Sequence, residues 1–185
     1  MNEHLKEMYE PILNAFQDGY LIVCFSEVKD SLLMWSHYAK AHTGFCIEYN
    51  FKELGPKIPL TRMLMPVIYT DDLFDATQYV LNPIIKGHRY NNLFGIYTSI
   101  SKGKEWEYES EWRTIFPLGP DADDEQRFIK VPTPKALYVG YKANLQDINS
   151  LKKMAISKNI PLYQMTLSEH SRKLNEETIY SPDNS

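Results

Sequence analysis

Residues 20–26 read YLIVCFS. The run is short, almost entirely apolar and rich in residues that favour strands, with no polar face, so it predicts a buried central strand covered on both sides. Asp18-Gly19 supplies a turn before it. After it, Ser26 or Asp30 can cap a helix carrying Leu32, Leu33, Met34, Trp35, Tyr38 and Ala39. Gly44 ends that helix, and GFCIEYNF (44–51) predicts a second strand with Phe45, Ile47 and Tyr49 on one face and Cys46 and Glu48 on the other. A strand, a helix of about ten residues and a strand are compatible with a crossover unit.

Residues 3–17 have helix-like apolar spacing interrupted by Pro11, residues 66–70 read as a short strand, and a longer helical region runs from Asp71 to about Ser101. WEYESEWRTIF (106–116) alternates and reads as one strand, with 127–131 as its hairpin partner. ALYVG (136–140) is a strand, 144–158 an amphipathic helix and 161–167 a last strand. The fold class is mixed α+β: a single domain over 1–168, built on a central mixed sheet of six or seven strands with three or four helices. Residues 169–185 are expected to be a disordered polar tail.

The chain has 185 residues, 43% of them hydrophobic and 24% charged, enough to bury a core without disulfides or metals. A net charge of −4 argues against a general phosphate-backbone binder. No apolar run approaches a membrane span, and the polar N-terminus is unlike a signal peptide, so the expected compartment is the cytoplasm with no membrane partner. Two cysteines are too few for a disulfide framework, and the five histidines form no cluster with them, so no metal is expected. No two glycines lie within seven positions of each other, which removes the common phosphate-binding loops and the nucleophile elbow. Aromatic residues make up 13%, 13 of them Tyr, a supply suited to a concave site or an interface as well as a core.

Two constellations carry candidate chemistry. In the first, Ser26 and Glu27 follow the 20–26 strand, and Trp35, His37 and Tyr38 lie on the following helix, where Trp35, Tyr38 and His42 would line one side. The bland reading makes Trp35 and Tyr38 core; the sharper one places a site at the strand end. In the second, an extended 106–113 would put Glu107, Glu109, Glu111 and Arg113 on one face and Trp106, Tyr108 and Trp112 on the other. The bland reading is a solvated face over an aromatic core face. In the sharper one, a carboxylate crowded by its neighbours serves as acid, base or cation stabiliser. Arg113 is the nearest partner for Glu111, and Glu107 balances the Lys102–Lys104 loop.

The pattern CFSE…LLMWSHYAKAHTGFCIEY followed by K…WEYESEWR resembles a bacterial family of unknown function, domain of unknown function 2971, over about Tyr20 to Tyr141. That family normally carries an upstream strand and an FNDPFD-like segment, which this sequence does not contain. The family is similar, more distantly, to ADP-ribosyltransferase-like proteins, including DNA-modifying toxins. The resemblance implies a split-sheet fold, with NAD as substrate and a nucleic acid or protein as acceptor. It implies Ser26, Trp35, His37, Tyr38, Trp106 and Arg113 as NAD-binding residues and Glu111 or Glu109 as the catalytic carboxylate, with Glu111 preferred. The early-strand Arg or His of that superfamily has no counterpart here. The resulting functions are an ADP-ribosyltransferase-like enzyme or its inactive remnant, or else a non-catalytic nucleotide- or peptide-binding module of a phage-defence or toxin–antitoxin system. A divalent-ion hydrolase using the Glu face is a third.

Overall fold

A computed structural model describes residues 19–73, 75, 93–118 and 131–182. The expected helix over 3–17, most of the helical region over 71–101 and nearly all of the 127–131 strand lie outside these residues. The chain is α+β and divides into two compact units, one built from segments on either side of an excursion into the other. The first comprises residues up to Glu27 and 59–130; the second comprises 28–58 and 131–185.

The first unit holds β1 (Tyr20–Ser26), α3 (Pro59–Arg62), β3 (Leu64–Pro66), β4 (Ile68–Tyr69), α4 (Leu93–Ile100), β5 (Ser101–Lys102) and β6 (Glu111–Pro117). A three-stranded antiparallel sheet runs β1-β6-β3, with Ser26 opposite Glu111 and Cys24 opposite Arg113. The short pair β4-β5 is parallel. Ile115, Leu60 and Val67 are buried, and the buried Thr114 hydroxyl donates to the Leu60 carbonyl at 3.0 Å.

Here β1 corrects the reading of YLIVCFS. Among the described residues it is an edge strand, hydrogen-bonded only to β6, and its alternate residues Ile22 and Cys24 are exposed. Its apolar character does not by itself distinguish an edge from a centre.

The second unit holds α1 (Leu32–Tyr38), β2 (Phe45–Glu48), α2 (Phe51–Leu54), β7 (Ala136–Val139), α5 (Leu145–Lys158), β8 (Leu162–Leu167) and β9 (Leu174–Tyr180). Its sheet runs β2-β7-β8-β9, with β7 and β8 parallel across the α5 crossover. ALYV is one of the two inner strands, and all four residues of β7 are buried. Alternation sends Ala136 and Tyr138 to a core with Trp35, Ala39, Met165 and Leu174, and Leu137 to a second core with Ala155, Ile160 and Leu162. The sheet thus has α1 residues in one core and α5 residues in the other.

Because β1 and β2 pair into different sheets, the crossover unit with which the strand–helix–strand order is compatible is not formed, and the described strands make sheets of three, four and two rather than one of six or seven. Nor is 174–180 a disordered tail. It is β9, whose Leu174, Ile179 and Tyr180 pack into the two cores while its glutamates stay exposed, a charged edge that resists pairing with other chains.

Local chemistry sets the ends of α1. Ser31, not Ser26 or Asp30, caps it, accepting from the Met34 amide at 3.3 Å. After Tyr38 the chain turns through left-handed Lys40, Ala41 and His42, so His42 leaves the helix and does not continue the Trp35–Tyr38 stripe. Gly140 meets this turn so closely that a Cβ there would lie 2.0 Å from the His42 carbonyl oxygen.

Candidate functional site

The first unit's distinctive feature comes from a break in the predicted 106–116 strand. Lys104–Glu109 is a 3-10 helix, Ser110 is left-handed with φ 45°, and the strand begins only at Glu111. The turn replaces strand alternation, so Glu109 and Glu111 face a common partner while Glu107 stays in solvent. The backbone is tied on both sides. The Ser26 hydroxyl donates to the Glu109 carbonyl at 2.6 Å, the Glu27 amide to the Ser110 carbonyl at 3.2 Å, and the Glu111 amide to the Tyr69 hydroxyl at 2.7 Å.

The shared partner is Lys102. Its ammonium donates to Glu109 Oε2 and, at 2.9 Å, to Glu111 Oε2, and it lies 5.0 Å from the centre of the Trp106 ring. Arg113 grips Glu111 as a fork, Nε to Oε1 at 2.8 Å and Nη2 to Oε2 at 3.0 Å, while Nη1 donates to the Ser99 carbonyl. Glu109 is 2% exposed and Glu111 6%. Each buried carboxylate thus meets at least one cation, Lys102 at both and Arg113 at Glu111, as burial of charge requires.

Burial pushes the Glu111 carboxyl up, but hydrogen bonds from Arg113, the Cys24 thiol and Lys102 outweigh it and bring it down to about 2. Although Cys24 is exposed as a residue, partial desolvation of its thiol against the cluster, its hydrogen bond to Glu111 and the Glu111 charge push that thiol up to about 11, which keeps it a neutral donor. Lys102 loses by burial and gains more from its two carboxylates, so its ammonium is held above the ordinary lysine range.

Of the residues singled out in the sequence, Ser26, Trp106, Glu109, Glu111 and Arg113 all belong to this unit. Ser26 touches the Glu109 backbone, not its carboxylate. Trp35, His37 and Tyr38 belong to the second unit. There Trp35 is core, its indole donating to the Lys29 carbonyl at 2.7 Å, and the ring of Tyr38, 62% exposed, meets His37 edge-on at 6.3 Å.

The sequence places Lys102 beside these glutamates but pairs it with Glu107, and it does not bring Cys24 or Tyr69 to them. Lys102 instead reaches Glu109 and Glu111, and Lys104 pairs with Asp71 at 3.0 Å. The one available signal was two glutamates in ESEWR with a single in-strand arginine, which leaves a second cation to be found.

The second unit has its own polar cluster. Lys29 donates to the Tyr138 hydroxyl at 3.0 Å and pairs with Glu176 at 2.8 Å, Tyr138 donates to Glu48, and Lys135 pairs with Glu48 at 2.6 Å. Tyr138 stacks on Tyr163 with ring centres 5.2 Å apart, and burial together with the Glu48 bond pushes its phenol up to about 12. A groove of about 570 Å³ in this unit runs beside Lys40, Gly44, Phe45, Lys142 and Asn144, and none of the residues assigned to catalysis or NAD binding from the sequence lines it.

No group of three or more His, Cys, Asp or Glu side chains suited to a metal occurs among the described residues, and none of their helices is long and apolar enough to cross a membrane. In class, the chain is an α+β protein whose first unit carries a buried four-charge cluster on a sharply turned strand entry. Residues 34–114 match the model of the family described as Protein of unknown function (DUF2971), the family that the two sequence motifs resemble. No curated protein and no solved structure matches the chain.

Proposed function

We propose that the first unit is an ADP-ribosyltransferase-like site that binds NAD against Trp106 and the Glu109–Glu111 pair. The observation that carries the reading is the turn at Ser110, which gathers two carboxylates at one ammonium beside an indole face. Breaking the bond between nicotinamide and ribose sends the electron pair to the leaving nicotinamide and leaves an oxocarbenium-like sugar, which an acceptor nucleophile then captures. A carboxylate that remains anionic stabilises that charge without exchanging a proton.

The two glutamates divide the work. Arg113, Lys102 and Cys24 supply Glu111 with as many donors as its oxygens accept, so Glu111 acts as the anchor. Glu109 is then the carboxylate assigned to the sugar, the reverse of the preference drawn from the sequence. Trp106 offers a stacking face, and Ser26 and Tyr69 hold the turn.

The second reading is a non-catalytic module in which the cluster fixes the fold of a nucleotide- or peptide-binding surface. The burial of both carboxylates favours it. Calorimetric titration with NAD, followed by assay of nicotinamide release, separates the two. The enzyme reading expects binding, turnover, and a folded, inactive Glu109→Gln variant. Binding without turnover in the unaltered chain selects the module. No binding of NAD or ADP-ribose discards both nucleotide readings.

A further inference from the structure

In the second unit Lys29, Lys135 and Lys173 each meet a carboxylate. Lys40 and Lys142, which line the groove beside the start of α5, make no ion pair among the described residues. We infer that this groove is a binding site for a nucleoside monophosphate: Lys40 and Lys142 take the phosphate, the Phe45 ring takes the base, and Asp147 accepts a ribose hydroxyl. The groove belongs wholly to the second unit, so the inference is independent of the NAD reading of the first.

Three kinds of group along the groove have capacity left. The two ammoniums are point charges of the sort that hold phosphate. Phe45 is 52% exposed and its ring meets no other aromatic ring among the described residues, which leaves a flat apolar face beside Val139, its partner across the β2–β7 ladder, and Leu151 of α5. Such a face stacks on any base. Asp147 shares the groove with both lysines yet pairs with neither. Its Oδ2 accepts from Asn144 Nδ2 at 2.8 Å, and its Oδ1 accepts from no described residue. Cations alone take any anion and a ring alone takes any apolar body; the three together select a molecule that carries a phosphate, a hydroxyl and a flat ring. The walls are fixed to each other, since the Lys142 amide donates to the His42 carbonyl at 3.1 Å and the Gly140 amide to the Gly44 carbonyl at 2.9 Å. A groove held in this way has little ordering cost to meet on binding. Its volume of about 570 Å³ falls within the range of small-molecule sites.

The test is a titration of AMP into the full chain labelled with ¹⁵N, with inorganic phosphate and adenosine titrated in parallel as the two halves of the ligand. AMP should give saturable shifts at the amides of Thr43, Gly44, Phe45 and Lys142 and bind about tenfold or more tighter than either half. The double variant Lys40→Met and Lys142→Met should weaken AMP about tenfold and leave adenosine unchanged, while Phe45→Ala should weaken AMP and adenosine and leave phosphate unchanged. All three side chains are exposed, so the variants should fold. If one does not, the unaltered chain decides: AMP affinity that falls as salt rises, with adenosine unmoved, supports the site, and AMP affinity indifferent to salt overturns it. Folded variants that bind AMP as the unaltered chain does overturn it too, as does the absence of saturable shifts at the groove. Phosphate binding as tightly as AMP reduces the groove to a cation patch and overturns the nucleotide. Shifts confined to residues 102–113 assign AMP to the first unit, which overturns the groove site and leaves the NAD reading standing; shifts at the groove alone support it even where the NAD reading fails.

Discussion

The two units each gather cations, glutamates and a tyrosine around a sheet, yet the clusters differ in kind. In the first, Glu109 and Glu111 are almost wholly buried and are balanced by Lys102 and Arg113. In the second, Lys29 is 46% exposed, Glu48 and Glu176 lie toward the surface, and the buried member is the neutral phenol of Tyr138. Water can take over much of the work at the second cluster and very little at the first. Removing a partner should therefore be costly where the remaining charge is trapped and cheap where it is wet.

The sharpest break in that comparison is Arg113→Met. It strips Glu111 of a two-bond partner and leaves a carboxylate in a dry setting, where such losses run to about 3–5 kcal/mol. In urea unfolding followed by tryptophan fluorescence, the first unit should lose about that much. Adding Glu111→Leu should restore part of it, since removing both charges of a buried pair costs less than removing one. A double variant no more stable than Arg113→Met would show that the pair is not where the energy lies.

Acid sharpens the same contrast. Glu111 sits at about 2 in the folded protein against an ordinary value near 4.5. A carboxyl depressed in this way contributes stability above its unfolded value, and that contribution fades as pH falls from about 4.5 toward 2. The difference corresponds to on the order of 3 kcal/mol. Urea midpoints measured down this range should fall in the unaltered chain and fall much less in Arg113→Met. Equal slopes would assign the acid sensitivity to other carboxylates.

What the sequence made legible follows where local and tertiary forces agree. ALYV, the amphipathic stretch over 144–158 and the strand after it were all readable, because continuous apolar character and helical spacing point the same way as the tertiary packing. Glu111 and Arg113 at two-residue spacing on a strand were readable for the same reason. YLIVCFS misled because a strand's composition does not say how many neighbours it has. WEYESEWR misled because one left-handed serine turns an alternating pattern into a 3-10 helix followed by a strand, and nothing in the pattern requires that serine to turn. The partners of Lys102 were hidden because they depend on the reach of a long side chain to residues seven and nine positions away. β9 was hidden among glutamates because only Leu174, Ile179 and Tyr180 of its seven residues pack into the cores.

The smallest expected effect tests the wet end of the comparison. Lys135 makes a bond to Glu48 of 2.6 Å, as short as several in the buried cluster, so a contact count would rank the two alike. Its side chain is 57% exposed, however, and Glu48 also accepts from Tyr138. In Lys135→Met the Glu48 carboxylate keeps the phenol and regains water, so the loss should stay below about 0.5 kcal/mol, near the limit of a urea melt. Salt gives a second handle. Raising ionic strength should mimic Lys135→Met by screening an exposed pair, while the Glu111–Arg113 fork, shielded from solvent, should respond little. A Lys135→Met loss approaching that of Arg113→Met would mean that burial does not govern these clusters, and the distinction between the two units would collapse to one of geometry alone.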